Sequence, residues 1–291
     1  MRWDSVIYCP AKINLHLEVG LRREDGYHDI LSLFHMVDLY DTLMVRSLKS
    51  LDYCGIQGNC DIPPQHNLVL KAARLFCETT GIRCALEFYL DKKIPSEAGL
   101  GGGSSDAAGT LRLLNRMKGN ILGDEDMYRL AATLGSDVLF FMMSPSALVT
   151  GRGEKVKPVK SQKDMWCLLI DAGIKVGTAE AYTWLDERPG PPGITDPAEL
   201  EKMYLGKPSE SWRFFNAFEE PVFQRYSVLK SVKEALLRRG AVHAGLTGTG
   251  GVVFGIFPEE ETLRKACSEG FGKAKLFPVK MLARLYNAIL Q

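Results

Sequence analysis

Several features are scarce or missing in this chain of 291 residues. Its seven cysteines, Cys9, Cys54, Cys60, Cys77, Cys84, Cys167 and Cys267, form no CxxC pair. Their odd number argues against a disulfide framework and for reduced, mostly buried thiols, which implies a cytoplasmic setting. Cys54, Cys60, His66 and His243 lack the spacing of metal ligands, so no structural metal is expected. No apolar run reaches about 18 residues, the length a membrane-spanning helix needs. The opening stretch, MRWDSVIYCPAKINLHLEV, carries Asp4 and Lys12 around a short alternating run and does not read as a secretory leader. Net charge is nearly absent: 36 Lys and Arg against 35 Asp and Glu leave +1. No overall field therefore draws nucleic acid or an anionic membrane, and any anion must be bound locally. Repeats and low-complexity tracts are also missing.

What is present fits a globular protein, with 46% hydrophobic and 24% charged residues and a length suited to two domains or one large one. Residues 6–19 and 30–47 are rich in Val, Ile, Leu and Tyr with partial alternation and read as strands. Residues 67–80 place Leu68, Ala72, Leu75 and Phe76 on one helical face. A strand is expected over 84–94 and helices over 104–117 and 125–134, the second opening with Asp124, Glu125 and Asp126. The basic, polar stretch 150–163 suits a connection between domains. Beyond it WCLLID at 166–171 reads as a buried strand and 187–197 as an exposed Pro/Gly-rich loop. Residues 227–240 look helical, 242–257 reads as two strands around TGTGG, and 276–291 as a strand and a short helix. The mixture predicts an α+β fold.

The densest chemical signal is Pro95–Gly109, PSEAGLGGGSSDAAG. Gly99, Gly101, Gly102 and Gly103 allow backbone N–H groups to turn inward at dihedrals that side chains forbid, and the following helix start adds unpaired donors and a positive dipole end. This arrangement suits polyphosphate. It is not a Walker loop, which needs Lys before Ser or Thr; none lies between Gly99 and Gly109. A dinucleotide fingerprint, GxGxxS from Gly99 to Ser104, and a plain strand-to-helix connection remain as alternatives.

The segment resembles the phosphate loop of the GHMP kinases nearly residue for residue. PAKINLHLEVGLRREDGYHDI at 10–30, HNLVLKAA at 66–73, LGSDVLFF at 134–141, TGRGEKV at 150–156 and GLTGTGGVVFGIF at 245–257 extend the resemblance over almost the whole chain. It implies a two-domain α+β fold, with a ribosomal-protein-S5-domain-2-like N-terminal domain over 1–158 and a ferredoxin-like α/β sandwich over 159–291. It also implies phosphorylation, by ATP with Mg²⁺, of a hydroxyl on a cytidine-diphosphate-linked methylerythritol in a monomer or homodimer. A kinase for mevalonate or homoserine, or a non-catalytic nucleotide sensor, is the rival reading.

On this resemblance the nucleotide would be held by Pro95, Ser96, Glu97, Ala98, Gly99, Leu100, Gly101, Gly102, Gly103, Ser104 and Ser105, with Asn67 and Lys92 at the adenine. Either serine could also cap the helix, and Asp106 in the same turn would favour a bridging cation. Asp137, a carboxylate in an apolar segment and expected to be buried, is the candidate base, with Lys12 as its partner; an ordinary buried ion pair is the alternative. Asn14, on the same strand face as Lys12, could bond the acceptor. Taken alone, DGYH at 25–28 reads as a turn; the resemblance assigns Tyr27 and His28 to the cytosine, with Thr178 nearby and Tyr182 facing Tyr27 as a second ring, each ring worth ~1–3 kcal/mol. Thr247, Gly248, Thr249 and Gly250 would form the floor of the acceptor pocket. Two positions depart from the family pattern: Leu139 stands where Pro follows Asp-Val, and Gly251 ends TGTGG where a serine is common.

Overall fold

A computed structural model describes residues 3–49, 53–60, 62–83, 85–187, 194–285 and 289–290. The first half comprises strands β1 (Ser5–Arg22), β2 (His28–Ser47) and β3 (Cys54–Gly58), helix α1 (Leu68–Thr80), strand β4 (Leu86–Asp91), helices α2 (Gly102–Met117), α3 (Asp124–Leu134) and α4 (Ser136–Met143), and strands β5 (Ser146–Gly151) and β6 (Lys155–Pro158). The second half comprises β7 (Trp166–Asp171), α5 (Thr178–Asp186), α6 (Pro197–Leu205), α7 (Pro208–Ser211), α8 (Glu219–Arg225), α9 (Ser227–Arg238), β8 (His243–Leu246), β9 (Val252–Phe257), α10 (Glu260–Ser268), β10 (Lys275–Lys280) and β11 (Ile289–Leu290). No helix among the described residues is long and apolar enough to cross a membrane.

Two sheets organise these elements. The first has seven strands, five along the path β11-β1-β2-β4-β3 with β5 paired to β2 and β6 to β5, and the second has four in the order β10-β7-β9-β8. The long β2 serves two partners on one edge: β5 pairs with Ile30–His35 and β4 with Thr42–Ser47. Along β1 the burial alternates at first and becomes continuous from Ala11 to Val19, as expected of a strand covered on both faces. Ile7 and Cys9 join the core beneath α1 and α2, whereas Ala11, Ile13 and Leu15 pack with Leu169, Phe254 and Ile256 of the second sheet. This central strand therefore carries its polar side chains, Lys12, Asn14 and His16, into the middle of the molecule.

Helix α1 starts where Asn67 accepts a bond from the Val69 N–H at 2.9 Å and stops at Gly81, which adopts a left-handed φ of 68°. The expected connection over 150–163 instead begins as a β-hairpin, because Thr150 to Ala147 pair with Lys155 to Pro158. The short helix expected at the end of the chain is absent among the described residues; after β10 the chain returns to pair Ile289 and Leu290 with Ile7 and Val6. Part of the expected loop at 187–197, residues 188–193, lies outside the described residues, as does Cys84 at the head of the strand expected over 84–94.

Candidate active site

The chain leaves β4 at Asp91, crosses the glycine segment and enters α2. Glu97, Gly99 and Gly101 have φ of 57°, 75° and 69°, so the backbone repeatedly takes the left-handed region that glycine tolerates best. Gly101 occupies the cap position of α2 with no side-chain bond to the helix end. The first amides of α2, at Gly102, Gly103 and Ser104, are thus left for a ligand, and they carry the positive end of the helix dipole. They border a cavity of about 500 Å³ whose wall includes Cys60, Leu68, Lys92, Pro95 to Ser104 and Lys175. Lys175, from the loop after β7, pairs with Glu97 at 3.0 Å across the cavity rim.

Neither serine caps the helix, contrary to one expectation. Ser104 lines the cavity, but Ser105 is buried on the helix's inner face and its hydroxyl has no partner. Asn67 does not line the cavity either: it is buried as the cap of α1, its amide 3.7 Å from Cys60 Sγ. Lys92 does reach the wall, and its ammonium is held by Asp41 and, at 2.8 Å, by Asp106. Asp41, on β2, was not singled out from the sequence, although a lone carboxylate within LYDTLMV was a visible signal. It accepts bonds from the backbone N–H groups of Lys93 and Ile94 at 2.6 and 2.9 Å and so fixes the chain where it enters the loop.

Lys12 and Asp137 come together from different elements. Lys12 Nζ, on β1, lies 3.9 Å from the carboxylate of Asp137 in the first turn of α4, donates to Asn14 Oδ1 at 2.6 Å and stands 4.5 Å from the Phe34 ring centre. Burial lowers the pKa of Lys12, and the Asp137 charge opposes that shift. Asp137 is not buried as expected: α4 turns Val138, Phe140 and Phe141 into the core, and Asp137 stays 34% exposed at its N-terminal end. A buried cation beside an accessible carboxylate offers a base with its charge held in place.

Asn14 ties this pair to the third motif. Its Oδ1 accepts from Lys12, from the Gly248 N–H at 3.0 Å and from the Thr247 hydroxyl at 3.3 Å, and its Nδ2 donates to Ser32 at 3.0 Å. Thr247, fully buried, also donates to the Gly99 carbonyl at 3.2 Å. The Lys12 N–H donates to the Leu100 carbonyl at 2.9 Å. The glycine loop, the charged pair and the TGTGG turn are therefore one hydrogen-bonded unit. Thr249 reaches the Thr178 hydroxyl at 3.4 Å. Gly251, where the family pattern has serine, adopts φ of 102°, and a Cβ there would lie 2.8 Å from the Ile174 carbonyl. Glycine at this position follows from the local backbone.

The remaining predicted residues gather where β1 turns into β2. Tyr27 is 57% exposed, with the Arg152 guanidinium 4.8 Å from its ring centre. His28 is buried, its Nδ1 2.9 Å from the Gly20 carbonyl and its Nε2 3.3 Å from Asp186. The Tyr182 ring contacts His28 at 5.2 Å and Phe218 at 4.9 Å. Burial raises the pKa of its hydroxyl. The sequence reading also missed Asp186, because α5 was not recognised as a helix that would present it four residues after Tyr182.

Comparisons with known proteins bear on this arrangement. The family descriptions "GHMP kinases N terminal domain" and "GHMP kinases C terminal" match residues 67–145 and 203–272. The chain is 39% identical over 271 residues to a protein of Solidesulfovibrio magneticus and 35% identical over 270 residues to one of Thermodesulfovibrio yellowstonii, both named 4-diphosphocytidyl-2-C-methyl-D-erythritol kinase. These matches cover 89% and 88% of this chain and 90% of each relative. A solved structure described as 4-(cytidine 5'-diphospho)-2C-methyl-D-erythritol kinase superposes with a TM-score of 0.79 at 30% identity, covering 94% of this chain and 99% of that one.

Proposed function

The chain belongs to the 4-diphosphocytidyl-2-C-methyl-D-erythritol kinase family of the GHMP kinases, and on that premise we infer that it moves the γ-phosphoryl group of ATP to the 2-hydroxyl of 4-diphosphocytidyl-2-C-methyl-D-erythritol. The observation that carries the chemistry is the pairing of Lys12 with Asp137 at 3.9 Å, bonded through Asn14 and Leu100 to the glycine loop.

In this reading the amides of Gly102, Gly103 and Ser104 hold the phosphates, with the loop from Pro95 to Gly101 as the wall. Asp137 accepts the proton of the acceptor hydroxyl. The Lys12 ammonium stabilises negative charge on the attacking oxygen; proton acceptance and charge stabilisation are the two contributions that phosphoryl transfer asks of a protein. Tyr27, His28 and Tyr182 receive the cytosine, and Thr178, Thr247, Gly248, Thr249 and Gly250 shape the acceptor pocket around Asn14. Mg²⁺ would arrive with the nucleotide. Among the described residues no three His, Cys, Asp or Glu side chains cluster as a metal cage. We place the boundary between the two domains after residue 158, with β11 rejoining the first sheet.

The test is to incubate the protein with Mg·ATP and the cytidine-linked acceptor, following ADP release and the phosphorus spectrum, with mevalonate and homoserine in parallel. A new phosphomonoester on the cytidine compound alone is expected. Turnover of another alcohol would keep the kinase chemistry and remove the specificity assigned to Tyr27, His28 and Tyr182.

A further inference from the structure

Residues 215–219 bond to both sheets. Toward the first sheet the partner is β1: the Leu17 N–H donates to the Phe215 carbonyl at 2.9 Å, the Ala217 N–H donates to the Leu17 carbonyl at 2.8 Å, and the Phe215 N–H donates to His16 Nδ1 at 3.2 Å. Toward the second sheet the contacts are made by two side chains. Asn216 Nδ2 donates to the Leu246 carbonyl at 2.8 Å and to the Gly248 carbonyl at 2.7 Å, and Glu219 Oε1 accepts the Leu246 N–H at 3.0 Å. Leu246 ends β8, the edge strand of that sheet, where main-chain groups would otherwise lack a strand partner. Gly245 makes room for this approach, since a Cβ there would lie 3.3 Å from Glu219 Oε1.

Asn216 is buried, and its amide is fully committed. Its Oδ1 accepts the Phe218 N–H at 2.9 Å, while Nδ2 places its two hydrogens on the two carbonyls. Glu219 is held in turn by the Lys233 ammonium of α9 at 2.6 Å. Capping the edge strand needs only the bonds to Leu246. The bond to Gly248 reaches past the strand into the turn, where Gly248, Gly250 and Gly251 take φ of 60°, 133° and 102°. A backbone so rich in glycine has wide dihedral freedom and does not hold its own shape. Gly248 is instead fixed from two sides, its carbonyl by Asn216 and its N–H, at 3.0 Å, by Asn14 Oδ1.

We propose that Asn216, supported by Glu219, is a positioning residue for phosphoryl transfer: it sets the Gly248 main chain so that Asn14, which accepts the Gly248 N–H, holds the Lys12 ammonium beside Asp137. Asn14 Oδ1 accepts from Lys12 at 2.6 Å, and Lys12 stands 3.9 Å from the Asp137 carboxylate. The path from Asn216 to the reacting groups therefore runs through Gly248 and Asn14. Without Asn216 the turn regains its dihedral freedom, Asn14 loses a donor that orients its amide, and Lys12 loses a fixed acceptor. A displacement of about 1 Å in a positioned group is enough to cost up to ~10²-fold in rate.

This inference rests on the reading that Lys12 and Asp137 serve phosphoryl transfer to the cytidine-linked acceptor, and a mutant cycle tests the two separately. The kcat at saturating Mg·ATP and acceptor is measured for wild type, Asn216→Ala, Asn14→Ala and the double variant, with thermal melts in parallel. Asn216→Ala is expected to lower kcat by about 10–10²-fold, and the double variant to stay within about threefold of Asn14→Ala, because both losses travel through Asn14. A merely structural role would lower the melting temperature and leave the two losses multiplicative. Multiplicative losses, or an Asn216→Ala kcat within about twofold of wild type, would overturn the proposal and leave the kinase reading intact; no turnover in wild type would overturn both. Glu219 supplies a second measurement should Asn216→Ala fail to fold. Glu219→Gln keeps an acceptor for the Leu246 N–H and gives up the charge that Lys233 meets, whereas Glu219→Ala loses both. The glutamine variant should keep kcat within about threefold of wild type and the alanine variant should lose about tenfold. Equal kcat in the two would overturn the proposal.

Discussion

Gly99 and Gly248 touch backbone to backbone across the junction of the two sheets. A Cβ on Gly248 would lie 2.9 Å from the Gly99 Cα, and one on Gly99 would lie 2.2 Å from the Thr247 carbonyl oxygen. The glycine loop and the TGTGG turn can approach this closely only because neither position carries a side chain, and the contact is sealed by the bond from Thr247 to the Gly99 carbonyl. The glycine loop and the TGTGG turn thereby share a wall of main chain, so a displacement of one is felt by the other.

Gly99→Ala tests that wall. The residue has φ of 75°, and the new methyl would meet backbone, which cannot move aside as a flexible side chain could. Strain of ~1–3 kcal/mol is expected from the dihedral alone. The variant should melt several degrees lower and raise the KM for both ATP and the acceptor, as steady-state kinetics and a thermal melt would register. An increase confined to ATP would mean that the two sites are independent.

Asp137→Asn addresses the chemistry. The amide preserves size and removes the charge 3.9 Å from Lys12. Turnover should fall by about 10²–10⁴, the usual contribution of a positioned base, and both KM values should change by less than about threefold. Turnover within a few fold of wild type would remove Asp137 from the mechanism.

Tyr182→Ala probes acceptor recognition. The ring leans on His28 at 5.2 Å and on Phe218 at 4.9 Å, so its loss both removes a stacking surface and frees His28. The acceptor KM should rise by about tenfold or more, equivalent to ~1–3 kcal/mol, with the ATP KM unmoved. Asp186→Asn, which weakens the contact at His28 Nε2, should shift the same constant in the same direction by less. If both variants leave the acceptor KM alone, the cytosine is read elsewhere.

Much of this site was legible in the residues, and its gaps have physical causes. The glycine segment announced itself because dihedral freedom and a helix start are local properties. Lys12 and Asp137 carried chemical types that stand out in apolar surroundings, although the burial assigned to Asp137 was wrong: α4 turns Val138 and Phe140 into the core and leaves Ser136 and Asp137 half-buried at its start. Asp41 and Asp186 escaped notice because each matters through a partner distant in sequence, Lys92 in one case and His28 in the other. The closing strand β11 was invisible for the same reason, since two residues become a strand only by pairing with β1.

The buried histidines make a prediction about acid. His243 lies among the rings of Phe214, Trp212 and Phe254, with its Nε2 unpartnered. Burial, helped by the charge of Lys233, brings its pKa down to about 3; burial brings His35 down to about 4. Unfolded histidine titrates near ~6.5, so between these values the unfolded chain binds more protons than the native one and stability rises with pH. The stability these two groups supply is therefore complete above about 6.5 and is lost as pH falls toward 3–4. Asp106 acts with the opposite sign over part of this range because its folded pKa is raised, so the histidine effect is best isolated by difference. In urea unfolding, wild type should lose about 2 kcal/mol more than His243→Gln on going from pH 7 to pH 5. Parallel losses in the two proteins would mean that His243 accepts its proton in the folded state, and that the ring cluster opens to water before the chain unfolds.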